Sequence, residues 1–242
     1  MRGKVTLLAH SIMRAFPLLV LLVGGLGFFT FSGISRSTQQ ESQPPKRGRL
    51  QWHAAKAKKE GKQRVEIPTR IFDYLGRKNN SIEQAFGDYT VVIAESTAKR
   101  TVQVSDNDLL TWYKFNVLDV LTPVKAPPCP GCMTLQPPND VPINANEVWI
   151  PRNGGALVID GVEIRQQEPG FPPFEDGQRY LLFLMWYPNK VATTAGGPIG
   201  VFRITESDKL ESFQQQSDPI QDGVRLKFHG SLSKLRQGIQ SK

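Results

Sequence analysis

The 242 residues predict a mainly β protein: a small antiparallel barrel or sandwich of OB-like type, with short helices near both ends, preceded by an N-terminal transmembrane or signal helix. Three observations carry this. Runs of β-branched and aromatic residues recur from Tyr89 onward, separated by turns rich in Gly and Pro. Helical signals fall only toward the ends of that stretch. An uncharged apolar segment, Ala15 to Ile34, follows Arg2, Lys4 and Arg14.

The apolar segment has two readings. No charge occurs between Arg14 and Arg36, and about 20 apolar residues cross a bilayer core as a helix. Its densest part, Leu18 to Phe31, is nearer the apolar region of a secretory signal. The small residues a cleavage site wants are poorly matched by Gly33-Ile34-Ser35 or Phe31-Ser32-Gly33. No Cys follows to carry a lipoprotein anchor. An uncleaved anchor is favoured over a cleaved signal, with the C-terminal part exported. The alternative product is secreted or periplasmic. The basic residues flanking the two ends nearly balance, so the positive-inside comparison does not decide orientation.

Charge divides the chain. Residues 1–65 carry 12 Lys and Arg against Glu41 and Glu60, a net of +10, whereas residues 66–242 carry 18 against 20 acids, a net of −2. The pI of about 9.6 therefore belongs to the tail. A nucleic-acid-binding domain carries its positive charge on the folded surface, so no nucleic-acid partner is expected. The basic run Lys46 to Arg64 reads either as a solvated linker or as a segment drawn to anionic lipid headgroups. The domains expected are residues 1–35 as membrane anchor or signal, 36–66 as a basic polar linker, and 67–242 as the β-rich globular domain. Within the linker, Trp52 to Gly61 has the composition of a short basic helix.

Along the globular part, Ser81-Ile82-Glu83-Gln84 reads as a capping box opening a helix that Gly87-Asp88 ends. Tyr89 to Ala94 is a strand, and Thr101 to Val104 is expected to be the strand returning from it. Asp106-Asn107-Asp108 resembles part of a calcium loop but lacks its Gly and closing Glu, which favours a turn. Trp112 to Leu121 alternates as a half-buried strand does. Val148-Trp149-Ile150 is expected to stop at Pro151. Ala156 to Ile164 is a hairpin about Asp160-Gly161, a pair suited to a type I′ turn. Glu175-Asp176-Gly177 is a turn before Tyr180 to Trp186, whose unbroken apolar run implies burial on both faces. Val191 to Thr194 and Ile199 to Ile204 are two further strands. Val224 to Phe228 alternates strictly and is expected to be another, and Ser231 to Ile239 to be a terminal helix.

Three of these pieces resemble a domain of exported bacterial proteins of uncharacterised function. They are the helix-to-strand passage from Ser81 to Val92, the aromatic strand Phe115 to Leu121, and Gly154-Gly155 leading through Pro169-Gly170-Phe171 to Phe174–Leu184. Such domains are similar to the five-stranded barrel of netrin modules and tissue inhibitors of metalloproteinases. The inhibitors' N-terminal Cys and disulfide framework are absent, so the resemblance implies a fold and not their inhibitory mechanism.

Chemistry-bearing constellations are few. Cys129-Pro130-Gly131-Cys132 suits a type II turn that brings both thiols toward bonding distance. A redox-active pair wants a following helix to stabilise its thiolate, and Pro137-Pro138 come too soon for one. A disulfide between Cys129 and Cys132 is expected, with redox chemistry or a shared metal site as alternatives. No G-x-S-x-G, H-E-x-x-H or phosphate loop occurs. His229 is the one candidate base in the globular part and reads as a surface loop residue. No catalytic residue, metal ligand or cofactor is expected. Of the aromatic residues, Trp186 and Tyr187 are the candidate binding surface if they end a strand. The function expected is a non-catalytic binding or structural module, held to the membrane through Ala15 to Ile34, with an unknown protein partner. The alternatives are a thiol-disulfide oxidoreductase using the Cys pair and an extracellular protease inhibitor.

Overall fold

The computed structural model describes residues 48–69, 79–125, 136–138, 143–213 and 217–241. The apolar segment Ala15 to Ile34 and the Cys129–Cys132 turn lie outside these residues. No helix among the described residues is long and apolar enough to cross a membrane.

The described chain is mainly β. It begins with helix α1 (Arg49–Lys59) and strand β1 (Arg64–Pro68), followed by helix α2 (Ile82–Asp88). Strands β2 (Thr90–Gln103), β3 (Leu109–Val120), β4 (Glu147–Asn153), β5 (Gly155–Ile159) and β6 (Val162–Gln167) come next. Strands β7 (Arg179–Tyr187), β8 (Val191–Thr194), β9 (Val201–Ile204) and β10 (Leu210–Ser212) precede the last helices, α3 (Pro219–Asp222) and α4 (Leu232–Gln240).

Two sheets result. The larger is ordered β10-β9-β7-β2-β3-β4-β8, and β8 also pairs with β7. One edge of β7 meets β2, while the other meets β9 through Tyr180–Leu182 and β8 through Leu184–Tyr187. The β4–β8 contact is parallel and consists of Trp149 opposite Val191. The smaller sheet, β1-β6-β5, pairs β1 parallel to β6 and β5 antiparallel to it.

Strands β2 and β7 have no solvent face where they pair, which is why Tyr180 to Trp186 shows no alternation. On one side Val92, Ala94, Tyr180, Leu182 and Leu184 meet Phe115, Val148, Ile150 and Phe174. On the other, Val91, Ile93, Leu181, Phe183 and Met185 meet Phe86 of α2, Ile220 of α3 and Leu235 of α4. Burying each Leu or Phe contributes about 1.5–3 kcal/mol. Both helix starts expected from sequence are capped: the Gln84 N–H donates to Ser81 Oγ at 3.1 Å, and the Lys234 N–H to Ser231 Oγ at 3.4 Å. The Gln84 side chain reaches back one residue beyond the cap, accepting from Asn80 N–H at 3.1 Å and not from Ser81 N–H as the expected box would have it.

Four expectations are corrected. Residues 49–66, assigned to the linker, form α1 and most of β1. Leu50, Ala54 and Ala57 of α1 are buried against Ile67, Leu109, Val162 and Ile164. Their spacing of four and three residues is one helix face, diluted in the sequence by the Lys residues around it. Thr101 to Val104 does not return: β2 runs on to Gln103 through irregularities at Ile93/Ala94 and Ser96/Ala98, and the polar stretch between disguised its continuity. Strand β4 continues through Pro151, which lies opposite Trp112. The bonds Gly154 N–H to Leu109 O and Val117 N–H to Asn146 O set the parity of this ladder, so the Pro151 nitrogen faces away from β3. Val224 to Phe228 is not a strand but lies in a π-helical turn, Gly223–Lys227, together with the residue after it. Val224 and Phe228 are buried while Leu226 between them is 65% exposed, the four-residue spacing of a helix and not the two-residue spacing of a strand.

The buried face of α1 yields a test. Leu50→Ala in the full chain should lower the unfolding free energy by about 2–5 kcal/mol in urea titration, whereas a residue of a solvated linker would change it by less than about 0.5 kcal/mol.

Candidate functional site

A cleft of mixed polar and aromatic lining lies where the end of β4 turns into β5, facing the end of β6 and the Phe171–Pro173 segment. Its volume is about 450 Å³. Two glycines make the turn. Gly154 and Gly155 have φ of +86° and +133°, backbone that side-chain-bearing residues rarely adopt. A Cβ on Gly155 would sit 2.1 Å from Thr111 Oγ1, and one on Gly154 would sit 2.4 Å from the Gln166 carbonyl oxygen. This close approach is stitched by Thr111 Oγ1 donating to Gly154 O at 2.7 Å and by the Thr101–Thr111 hydroxyl pair at 2.9 Å.

The β6 wall is fixed by Gln166, which is buried. Its amide oxygen accepts from Leu109 N–H and its amide nitrogen donates to Asn107 O, both at 2.7 Å. One side chain thereby ties β6 to the Asp106-Asn107-Asp108 segment. That segment is the β2–β3 turn the sequence indicated, closed by Ser105 Oγ donating to Asp108 Oδ2 at 2.7 Å.

Arg152 forms the floor. It is 6% exposed, and its guanidinium donates to Phe171 O at 2.5 Å and Pro172 O at 2.6 Å. The guanidinium carbon lies 3.3 Å from the centroid of the Phe171 ring, 5.0 Å from Phe174 and 5.7 Å from Tyr113. The guanidinium is thus stacked on aromatic faces and donates to two backbone carbonyls. Two more cations stand at the mouth. Lys99 is 3.6 Å from Asp176, and Arg165 is 2.8 Å from Glu163. Among the described residues, Glu168 is the one acid that lines the cleft.

Beyond the floor, Phe174 makes edge-on contacts with Tyr113, Phe115 and Tyr180, at centroid distances of 5.0, 5.0 and 5.1 Å. The two phenols are affected by this setting. Burial pushes the Tyr180 hydroxyl up to about 12, against the opposing hydrogen bond from Glu175 N–H at 2.9 Å. Burial likewise raises Tyr113, which Asp176 reinforces and Arg152 opposes.

No family model and no curated protein matches this chain. The site is therefore read from its own chemistry.

Of the residues singled out in the sequence, Cys129 and Cys132 lie outside the described residues. Trp186 and Tyr187 end strand β7, and both are half-buried. The Trp186 ring packs against the cluster around Val92 and Leu182, and its indole Nε1 is buried without a hydrogen-bond partner among the described residues. Tyr187 packs beside Trp112, Trp149 and Val191. Neither lines the cleft. His229 is exposed, with a φ of +53°. Among the described residues no group of three or more His, Cys, Asp and Glu is placed to hold a metal ion.

The sequence reading missed Arg152, Lys99, Arg165 and Gln166. For Arg152 a signal existed. Val148, Ile150 and Arg152 occupy alternate positions of β4 and are all buried, so a cation stands where the strand period calls for an apolar residue. A charge at a core-facing position marks a built polar site. Treating Pro151 as a stop hid it.

Two measurements follow from this geometry. Arg152→Leu leaves the Phe171 and Pro172 carbonyls without their donors, so stability should fall by about 2–4 kcal/mol. Arg165→Leu at the mouth should change it by less than about 0.5 kcal/mol. The second concerns alkaline pH. From an ordinary phenol value of about 10 to about 12, the unfolded chain releases the Tyr180 proton while the folded chain keeps it. Stability should therefore fall as pH rises through that window, and less steeply in Tyr180→Phe; an unchanged slope in the variant would remove Tyr180 as the cause.

Proposed function

We propose that this chain is an exported, membrane-anchored protein whose β-rich body is a non-catalytic binding module, and that the Arg152 cleft takes a small organic anion with an apolar body. The observation that carries this reading is the make-up of the cleft. Glycines that accept no side chain open it, Tyr113 and Phe171 give it aromatic surface, and Lys99 and Arg165 stand at its mouth near the buried Arg152. A concave, pre-formed pocket with few convergent polar groups is the usual form of a small-molecule site. Its lining carries three cations beside Glu168; the Asp176 and Glu163 pairs of Lys99 and Arg165 are solvent-accessible and therefore weak, so a ligand carboxylate competes with them for both cations.

The architecture we propose is an OB-like barrel. The pairings β2-β3-β4-β8-β7 return to β2, a five-stranded path with the aromatic and aliphatic cluster around Phe115 and Leu182 on one side. Five strands in a partly open ring suit the OB-like expectation, and with it the netrin-like resemblance. Membrane anchoring rests on the length and apolarity of Ala15 to Ile34 and its basic N-terminal flank.

Two experiments test the proposal. Benzoate, phenylacetate and hippurate at millimolar concentration should raise the melting temperature, and Lys99→Ser with Arg165→Ser should abolish the rise. No shift with any of the three, or equal shifts in the double variant, would dismiss the anion site. For anchoring, the chain should remain in membrane pellets through alkaline washing, because lipid and not charge holds an apolar helix. Release as a shortened chain starting near Ser35 or Arg36 would show a cleaved signal instead.

A further inference from the structure

We infer that the outward face of α1 is a docking surface for an anionic lipid bilayer, an inference that rests on the membrane-anchored reading. The helix is pinned by Leu50, Ala54 and Ala57. Opposite them, Arg49, Trp52, Lys56 and Lys59 recur at steps of three, four and three residues, which places them on one stripe about 15 Å long. The docking of the inner face fixes this stripe outward, so within α1 the basic residues form a surface held by the fold.

The cations of this region fall into two sets. Those beside the stripe are engaged within the protein: Lys58 donates to Asp160 O at 3.3 Å, Lys62 meets Glu60 at 2.7 Å and Arg64 meets Glu163 at 2.6 Å. Arg49, Lys56 and Lys59 have no carboxylate within salt-bridge distance among the described residues. Lys56 lies 5.3 Å from the centre of the Trp52 ring, and Trp52 meets His53 edge-on at 4.8 Å. Burial and then the charges of Arg49 and Lys56 hold the His53 imidazole below its ordinary range. The stripe therefore joins unneutralised positive charge to an indole, the aromatic side chain enriched at bilayer interfaces.

Two considerations favour a bilayer over other acidic partners. Residues 35–48 are all that separates the apolar segment from the stripe, a reach of at most about 50 Å, so the same membrane surface is within range at high effective concentration. The rest of the chain carries a net charge of −2, which leaves attraction to a polyanion confined to this end.

The test uses the full chain reconstituted into phosphatidylcholine vesicles, with or without one third phosphatidylglycerol, and brominated lipid as quencher. The signal due to Trp52 is the difference between the natural chain and Trp52→Phe. It should be quenched in anionic vesicles at low salt, escape quenching in neutral vesicles, and escape it at high salt. Arg49→Gln, Lys56→Gln and Lys59→Gln together should weaken docking by roughly a hundredfold, about fivefold per cation, with an unchanged circular dichroism spectrum. Equal quenching in both lipids, or quenching that survives in the triple variant, overturns the proposal. So does a Trp52 that responds to polyglutamate but not to anionic vesicles, which would assign the stripe to an acidic protein. Alkaline washing of the same vesicles reports anchoring separately. A chain that stays in the pellet with Trp52 unquenched keeps the anchor and loses the docking surface. If the chain is released instead, anchoring fails, and salt-sensitive sedimentation with anionic vesicles, present in the natural chain and absent in the triple variant, decides docking by itself.

Discussion

Strand β2 pairs with β7 from Thr90 opposite Leu184 to Glu95 opposite Arg179, and from Thr90 to Ala94 and Tyr180 to Leu184 neither strand keeps a solvent-facing side. The C-terminal helices, α2 and much of the larger sheet are positioned by one face or the other of that pair. Helices α2, α3 and α4 cover the side that carries Val91, Leu181 and Phe183, and β3, β4 and the Phe171–Phe174 segment close over the side that carries Val92, Leu182 and Leu184. A sheet apolar on both faces must be covered twice. This is why a largely β chain still needs its terminal helices, and why Glu83 of α2 and Lys227, far apart in sequence, meet as an ion pair.

The Arg152 cleft follows from that arrangement. The β3–β4 ladder carries Arg152 inward in step with Val148 and Ile150, and the neighbouring aromatic rings supply the faces on which its guanidinium rests. A buried cation is costly unless its donors are used, and here two backbone carbonyls use them. The turn to β5 then has to pass against Thr101 and Thr111, which only glycine permits at position 155. Packing, hydrogen bonding and backbone conformation thus converge on one concave surface.

The charge of the chain is distributed with similar economy. Its positive excess lies before residue 66, and part of that excess is built into the folded body through α1. The inner face of the helix extends the small sheet's core, while its outer face keeps Arg49, Lys56 and Lys59 in solvent. One helix therefore serves both stability and surface chemistry, and composition alone presented it as tail.

Local signals were legible wherever a feature depends on neighbours in sequence. The Asp160-Gly161 hairpin, with both φ values positive, the Ser81 and Ser231 caps, and the two-sided burial of Tyr180 to Trp186 follow from residue type and spacing, because turn geometry and periodicity are short-range properties. What depended on distant partners was not legible. Pro151 is tolerated because its nitrogen faces away from β3, Val224 and Phe228 are helical because Gly223 packs onto Ile82, and α1 folds because Val162 and Ile164 receive Leu50. The cleft is the extreme case, since Lys99, Arg152 and Arg165 come from three strands and no window of sequence contains them. By itself the sequence determined the β-rich class, the turns, the caps and the division of charge. The tertiary structure alone decided where strands continue, which cations are buried and which face outward, because those outcomes are set by the energy of contacts between segments far apart along the chain.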